Sequence, residues 1–185
     1  LPPTSDLPDA VFVEDTAVVV DEVAVITRPG APSRRPETAS VSDFLKELKP
    51  LARIEAPGIL DGGDVLRVGR RFWVGLSSRS NRAGFEQLQR ILQPFGYPVE
   101  AATVTECLHL KSALTAIGDD DVLANPAWVD PVQFGISTIV EVDPSESSGA
   151  NALLVNSHLI YPAEFPLTGR RLSDSGFDVV LVPAS

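Results

Sequence analysis

Three short stretches carry side chains able to do chemistry. Glu14 and Asp15 stand together at the threshold of an apolar run, in DAVFVEDTAVVV (9–20); Asp61 and Asp64 flank two glycines in LDGGD (60–64); His109 and Lys111 alternate with apolar residues in LHLKS (108–112). Carboxylates gathered in a partly buried pocket repel one another unless a cation neutralises them. That cation is either a metal ion or the guanidinium or ammonium group of a substrate. A hard metal asks for several oxygen ligands at short spacing, and the sequence has no Asp-x-Asp-x-Asp-Gly loop and only two histidines. A planar guanidinium suits paired carboxylates better, because its fork of N–H donors matches their oxygens at about 1.5–3 kcal/mol net per charge-assisted bond. A metal stays open on these residues, but a small cationic guest such as arginine fits them best.

Distant side chains reach one pocket only if the elements around them repeat. TAVVVDEVAVIT (16–27) and DVLRVGRRFWVGL (64–76) each read as two β-rich runs around a tight turn, and ALTAIGDDDVLANP (113–126) and ALLVNSHLIYP (152–162) repeat the arrangement. Apolar residues at helical spacing follow the first two hairpins: Val41, Phe44, Leu45 and Leu48, then Phe85, Leu88, Ile91, Leu92 and Phe95. Asn81 is the expected N-cap and Gly96 the expected stop of the second helix, with Thr168 capping a shorter one before Gly176. A single strand closes each unit, in LARIEAP (51–57), YPVEAATV (97–104), STIVEVD (137–143) and DVVLVPA (178–184). Asp15, Asp64, Ser112 and Asn151 occupy the same place before successive hairpins, at steps of roughly 40–50 residues, the mark of an array or ring of like units. Such an α/β ring of ββαβ units brings the starts of its first strands to one axis, where Glu14, Asp15, Asp61, Asp64, His109 and Lys111 would meet.

The 185 residues, 44% of them hydrophobic, predict one domain over 1–185 with no low-complexity linker. A formal net charge of −10 argues against a phosphate-backbone partner, so no nucleic acid is expected. No apolar stretch approaches the roughly 18–20 residues of a membrane helix, and the single cysteine, Cys107, rules out an intrachain disulfide framework. A cytoplasmic protein is the expectation, with no membrane partner and with a homodimer as an open assembly state.

LPDAVFVEDTAVV, ITRPGAPSRR (26–35), LDGGDVL, VGLSSRSN (74–81), CLHLKS (107–112) and NPAWVD (125–130), in this order, closely resemble the dimethylarginine dimethylaminohydrolases of the pentein superfamily of guanidine-modifying enzymes. The resemblance implies a propeller of ββαβ units and hydrolysis of N-methylated arginine to citrulline and a methylamine, without metal or organic cofactor. It implies further that Asp15 binds the guanidinium, that Asp61 also binds it or orients the catalytic histidine, and that Phe12 walls the pocket. Arg34 and Arg79 would clamp the substrate carboxylate, Asp9 would meet its α-amino group, and Glu14 would brace the site from behind. His109 would protonate the departing amine and then activate water.

The family's nucleophile is a cysteine close to the C-terminus, whereas this sequence reads LVPAS at that end. Cys107, two residues before His109, does not match that position. Four units are counted where the family has five, and the sequence starts at Leu1 and lacks methionine, so a sequence truncated at both ends, inactive without the missing cysteine, is expected. A non-catalytic pentein is the rival reading, and an arginine deiminase or amidinotransferase is the alternative among enzymes. Lys111 and Ser112 after His109 match the hydrolases better than the deiminases. Arg35 and His158 are expected to be idle surface groups, and Trp73 and Trp128 packing residues.

Overall fold

The computed structural model describes residues 6–184; the terminal residues Leu1 and Ser185, on which the expected truncation turns, lie outside them. Among the described residues, twelve strands form four separate sheets of three, β1–β2–β3, β4–β5–β6, β7–β8–β9 and β10–β11–β12. The first hairpin pairs β1 (Ala17–Val19) with β2 (Ala24–Ile26), and the second pairs β4 (Val65–Val68) with β5 (Arg71–Leu76) around Gly69 at φ +56°. The third pairs β7 (Leu114–Ala116) with β8 (Asp121–Ala124), and the fourth β10 (Leu153–Val155) with β11 (His158–Pro162). Each hairpin then takes a parallel third strand on its second member: β3 (Leu51–Arg53), β6 (Val99–Thr103), β9 (Thr138–Glu141) and β12 (Asp178–Val182). A parallel partner requires a crossover, and α1 (Thr38–Leu45), α2 (Arg82–Leu92) and α4 (Pro166–Asp174) supply three of the four. The result is four blades of the expected α/β propeller, with no sheet closing into a barrel.

Strand alternation explains how the blades stack. In β4 and β5, Val65, Phe72 and Val74 join a core shared with the first blade, while their neighbours Leu66 and Trp73 join one shared with the third. Leu123 of β8 likewise turns away from Val122 and Ala124, toward Leu159, Tyr161 and Leu172. The hairpin strands of the middle sheets therefore bury apolar residues on both faces, as in the consecutive Phe72, Trp73 and Val74 and the consecutive Val122, Leu123 and Ala124. The fourth sheet carries Leu153, Leu154, Val180 and Leu181 in exposed positions, Leu153 and Val180 on one face and Leu154 and Leu181 on the other.

The second helix follows its sequence signals. Asn81 accepts from the Gly84 N–H at 2.8 Å, Gly96 takes the left-handed conformation at φ +75°, and Phe85, Leu88 and Leu92 are buried, each contributing roughly 1.5–3 kcal/mol. Other helix expectations are corrected. Helix α1 buries Val41 and Ser42 while Phe44 is exposed, as is Leu48 beyond its end, because its orientation is set by the buried Arg34 and Glu37 side chains of the turn that leads directly into it. Thr168 lies inside α4, which starts at Pro166, and its hydroxyl accepts from the Asp143 N–H of the preceding unit. The third unit crosses over with only a 3₁₀ turn, Pro131–Phe134, where a proline sits at the start and Gly135 ends the turn at φ +54°.

Candidate active site

Each of the first three blades is entered through a single helical turn that the hairpin pattern did not reveal: Val13–Thr16, Gly62–Asp64 and α3 (Leu110–Ala113). One turn has too few internal hydrogen bonds to hold itself, so each is clasped by its neighbour. Asp15 Oδ1 accepts from the Gly63 N–H at 2.8 Å, and Asp64 Oδ1 accepts from the Leu110 N–H at 3.0 Å. Equivalent aspartates thus fasten blade one to two and blade two to three. Gly62 and Gly63 are present because the turns touch: a Cβ at 62 would lie 2.0 Å from the Glu14 carbonyl oxygen, and one at 63 would lie 2.8 Å from Asp15 Oδ1 and 2.9 Å from His109 Cγ.

Within the first turn the two adjacent carboxylates have opposite fates. Asp15 is 6% exposed, and its Oδ2 accepts from Arg34 Nη1 at 2.6 Å. Glu14 points outward and takes Lys111 Nζ at 2.5 Å, joining the first and third blades at the rim. The guanidinium of Arg34 is itself buried and fully occupied, donating also to Glu37 and to the carbonyl oxygens of Asp9 and Phe12. The hydrogen bonds to Glu37 hold its pKa above the ordinary guanidinium value despite burial, with Asp15 adding to them. In this arrangement Arg34 braces Asp15, while Arg79 has a side chain 30% exposed with Nη1 4.0 Å from Asp61 Oδ2.

Asp61 lies at the floor, wholly buried. Its Oδ1 accepts from the Gly30 N–H at 2.7 Å, while Oδ2 has no hydrogen-bond partner. Burial raises its pKa, and the Asp15 charge adds to the rise, against the bond from Gly30 and the charges of His109 and Arg79. Asp15, Asp61 and His109 each bring one donor atom to within 4.8 Å of the others, close enough to hold one small cation between them. The unpaired carboxylate oxygen and the cationic rim match a planar guest with an anionic tail better than a lone ion. Burial works against a charge on His109, but Asp64, Asp15 and Asp61 outweigh it and raise its pKa.

Two chambers meet at Phe12, Asp15 and His109. One, of about 370 Å³, is lined also by Asp9, Arg34 and Arg79; the other, of about 420 Å³, by Glu14, Gly63, Lys111, Ser112 and Asn151. Phe12 is exposed and stands between them as a wall, its ring centroid 5.9 Å from Arg34 Cζ. All eight expected site residues except Asp61 line one chamber or the other, and Asp61 lies close by, next to Asp15 and His109. The sequence reading passed over three contributors. Ser112 and Asn151 hold the repeat position of Asp15 and Asp64, a signal sufficient to nominate them, and Glu37 follows Arg34 at i+3.

Cys107 is half-buried, its thiol donates to the His109 carbonyl oxygen at 3.3 Å, and burial with the Asp64 charge raises its pKa. A protonated thiol tied to the main chain is a poor nucleophile. Cys107→Ser should therefore leave ligand affinity within about twofold, measured by calorimetric titration with dimethylarginine, an effect of the size expected for a near-isosteric change outside the reacting groups. Trp73 packs edge-on against Phe134, and Trp128 lies against the same core. His158 is exposed but pairs with Asp178 at 2.7 Å, and Arg35 donates to the Pro29 carbonyl oxygen.

The family model for arginine deiminases matches residues 3–159. The chain is 37% identical to the dimethylarginine dimethylaminohydrolase of Pseudomonas aeruginosa, over 100% of this chain and 74% of that one. It is 44% identical to the dimethylarginine dimethylaminohydrolase of Streptomyces coelicolor, over 97% of this chain and 69% of that one. Its structure superposes on that of the Pseudomonas aeruginosa enzyme, solved as a cysteine-to-serine variant with citrulline, at a TM-score of 0.91 and 35% identity, covering 99% of this chain and 72% of the other. No helix among the described residues is long and apolar enough to cross a membrane. With its blades, its acidic floor and its cationic rim in place, the chain belongs to the dimethylarginine dimethylaminohydrolase family of the pentein superfamily.

Proposed function

We propose that this protein hydrolyses N-methylated arginine to citrulline and a methylamine through a covalent cysteine intermediate. The observation that carries the reading is the buried Asp61 Oδ2, without a hydrogen-bond partner, next to Asp15 and His109, which line a chamber together with Arg79. A guanidinium seated there supplies the missing donor to Asp61, and Arg79 and Asp9 meet the carboxylate and amine of the amino-acid end. The methylated nitrogens then point toward the second chamber, past His109.

In this route a thiolate attacks the guanidinium carbon, and the carbon–nitrogen bond to the methylamine breaks as His109 gives that nitrogen its proton. His109, now neutral, takes one proton from water as the water oxygen bonds to the carbon; the carbon–sulfur bond then breaks as the second water proton passes through solvent to the released amine, leaving citrulline, the methylammonium ion and the thiolate. The thiolate belongs to a cysteine other than Cys107, supplied from outside residues 1–185. A raised His109 pKa suits the first step, since it keeps the imidazolium populated to higher pH than in a free histidine.

The test is release of citrulline and dimethylamine in equal amounts when the full-length protein meets asymmetric dimethylarginine. Faster release of ammonia from arginine would make the protein a deiminase, and binding without turnover would make it a binding module. Affinity should also rise with pH. Below its raised pKa, Asp61 is neutral and holds a guanidinium poorly, and below that of His109 an imidazolium repels it. Both losses appear as pH falls, so calorimetric titrations run from acid to neutral pH should strengthen monotonically; a flat profile would show that neither group touches the guest.

A further inference from the structure

The chain reaches His109 through a turn made by one unfavourable conformation. Glu106 takes the left-handed region at φ +55°, which few side chains other than glycine, asparagine and aspartate adopt. Past it, Cys107 packs on the core shared by the second and third blades and its thiol donates to the His109 carbonyl oxygen, while Leu110 is wholly buried. Leu108 between them stays out of that core: it is 52% exposed and lines the chamber that also holds Asp9, Arg79 and His109. A single exposed leucine is ordinary on a protein surface. This one follows a strained turn, and a second large apolar side chain, Phe12 at 59% exposure, lines the same chamber.

We infer that Leu108 is a specificity-determining residue, burying together with Phe12 the methylene chain that joins the guanidinium of the guest to its amino-acid end. The inference deepens the hydrolase reading and rests on it for the identity of that guest. Apart from Ala31, the rest of the chamber lining is polar: Asp9, Asp15, Ser33, Arg34, Arg79 and His109. Such groups serve the charged ends of a methylated arginine, but the methylenes between the ends can hydrogen-bond nothing. Each CH₂ left against water forgoes about fourfold in affinity. Leu108 and Phe12 supply the apolar surface that takes those methylenes out of water, in a chamber of about 370 Å³, the size of a small-molecule site. A guanidinium compound with no alkyl chain gains nothing from Leu108, so the residue selects for the chain and not for the charge.

Calorimetric titration of the full-length protein with methyl-, ethyl-, propyl- and butylguanidine separates the head group from the chain. In the parent, affinity should rise about two- to fourfold with each added methylene. Leu108→Ala removes only exposed atoms and should fold as the parent does. It should bind methylguanidine within about twofold of the parent but butylguanidine about fivefold or more weakly, because most of the rise per methylene is lost. Leu108→Met keeps the apolar surface and should keep the rise. An undiminished rise in Leu108→Ala would overturn the assignment, as would an equal loss of methylguanidine affinity, a rise lost in Leu108→Met as well, or a parent that shows no rise. None of these readings depends on turnover. Chain selectivity that Leu108→Ala abolishes, in a protein that releases no citrulline, would sink the hydrolase reading and keep Leu108 in its role; citrulline release with the rise intact in Leu108→Ala would do the reverse.

Discussion

Replacing Arg34 with methionine should cost the protein about 3–5 kcal/mol of folding stability, the range for removing one partner of a buried ion pair. The side chains of Arg34, Asp15 and Glu37 are only 8%, 9% and 3% exposed, so removing the guanidinium leaves two carboxylates facing each other out of water. Against a total stability of about 5–15 kcal/mol for an ordinary domain, that is enough to bring the protein near unfolding at room temperature. Arg79→Met should behave in the opposite sense. Its guanidinium is partly solvated and pairs loosely with Asp61, so stability should change by less than about 1 kcal/mol while affinity for a ligand with an α-carboxylate falls. Urea denaturation and calorimetric titration of both variants separate the roles. If Arg34→Met were as stable as the parent and lost only carboxylate recognition, Arg34 would be a clamp and the brace reading would be wrong.

His109→Ala should lower turnover of dimethylarginine by about 10²–10⁴ in the full-length protein, while its dissociation constant, measured on the alkaline side of the His109 titration where the ring is neutral, stays nearly unchanged. The ring lies between the two chambers, beside Asp15 and Asp61 without replacing either, so the carboxylates that hold the guanidinium survive its removal. The loss is kinetic because both proton transfers pass through one imidazole. Single-turnover measurements with the variant and exogenous imidazole provide the check: partial recovery of rate would place the defect in proton transfer, whereas weakened binding with normal turnover would show that the ring holds the guest and does not handle protons. Gly63 explains why the geometry is sensitive, since nothing larger fits between Asp15 and His109.

The blades were legible in the sequence because their information is local. Apolar β-rich runs, the turn at Gly69-Arg70, the cap at Asn81 and the stop at Gly96 each act within a few residues, and the repeat of Asp15, Asp64, Ser112 and Asn151 carried the assembly with it. The type of side chain at the site was legible for the same reason, since a gathered acidic set beside one histidine admits few kinds of guest.

What only the folded chain decided is the division of labour. Glu14 and Asp15 are neighbours in sequence, yet one is at the rim with Lys111 and the other under Arg34. Asp61 and Asp64 are three residues apart, yet one keeps an open oxygen while the other is saturated by Ser77, Ser80 and Leu110. Sequence chooses the chemical groups; which oxygens stay free depends on donors brought from 13 to 97 residues away, and long-range packing alone sets that.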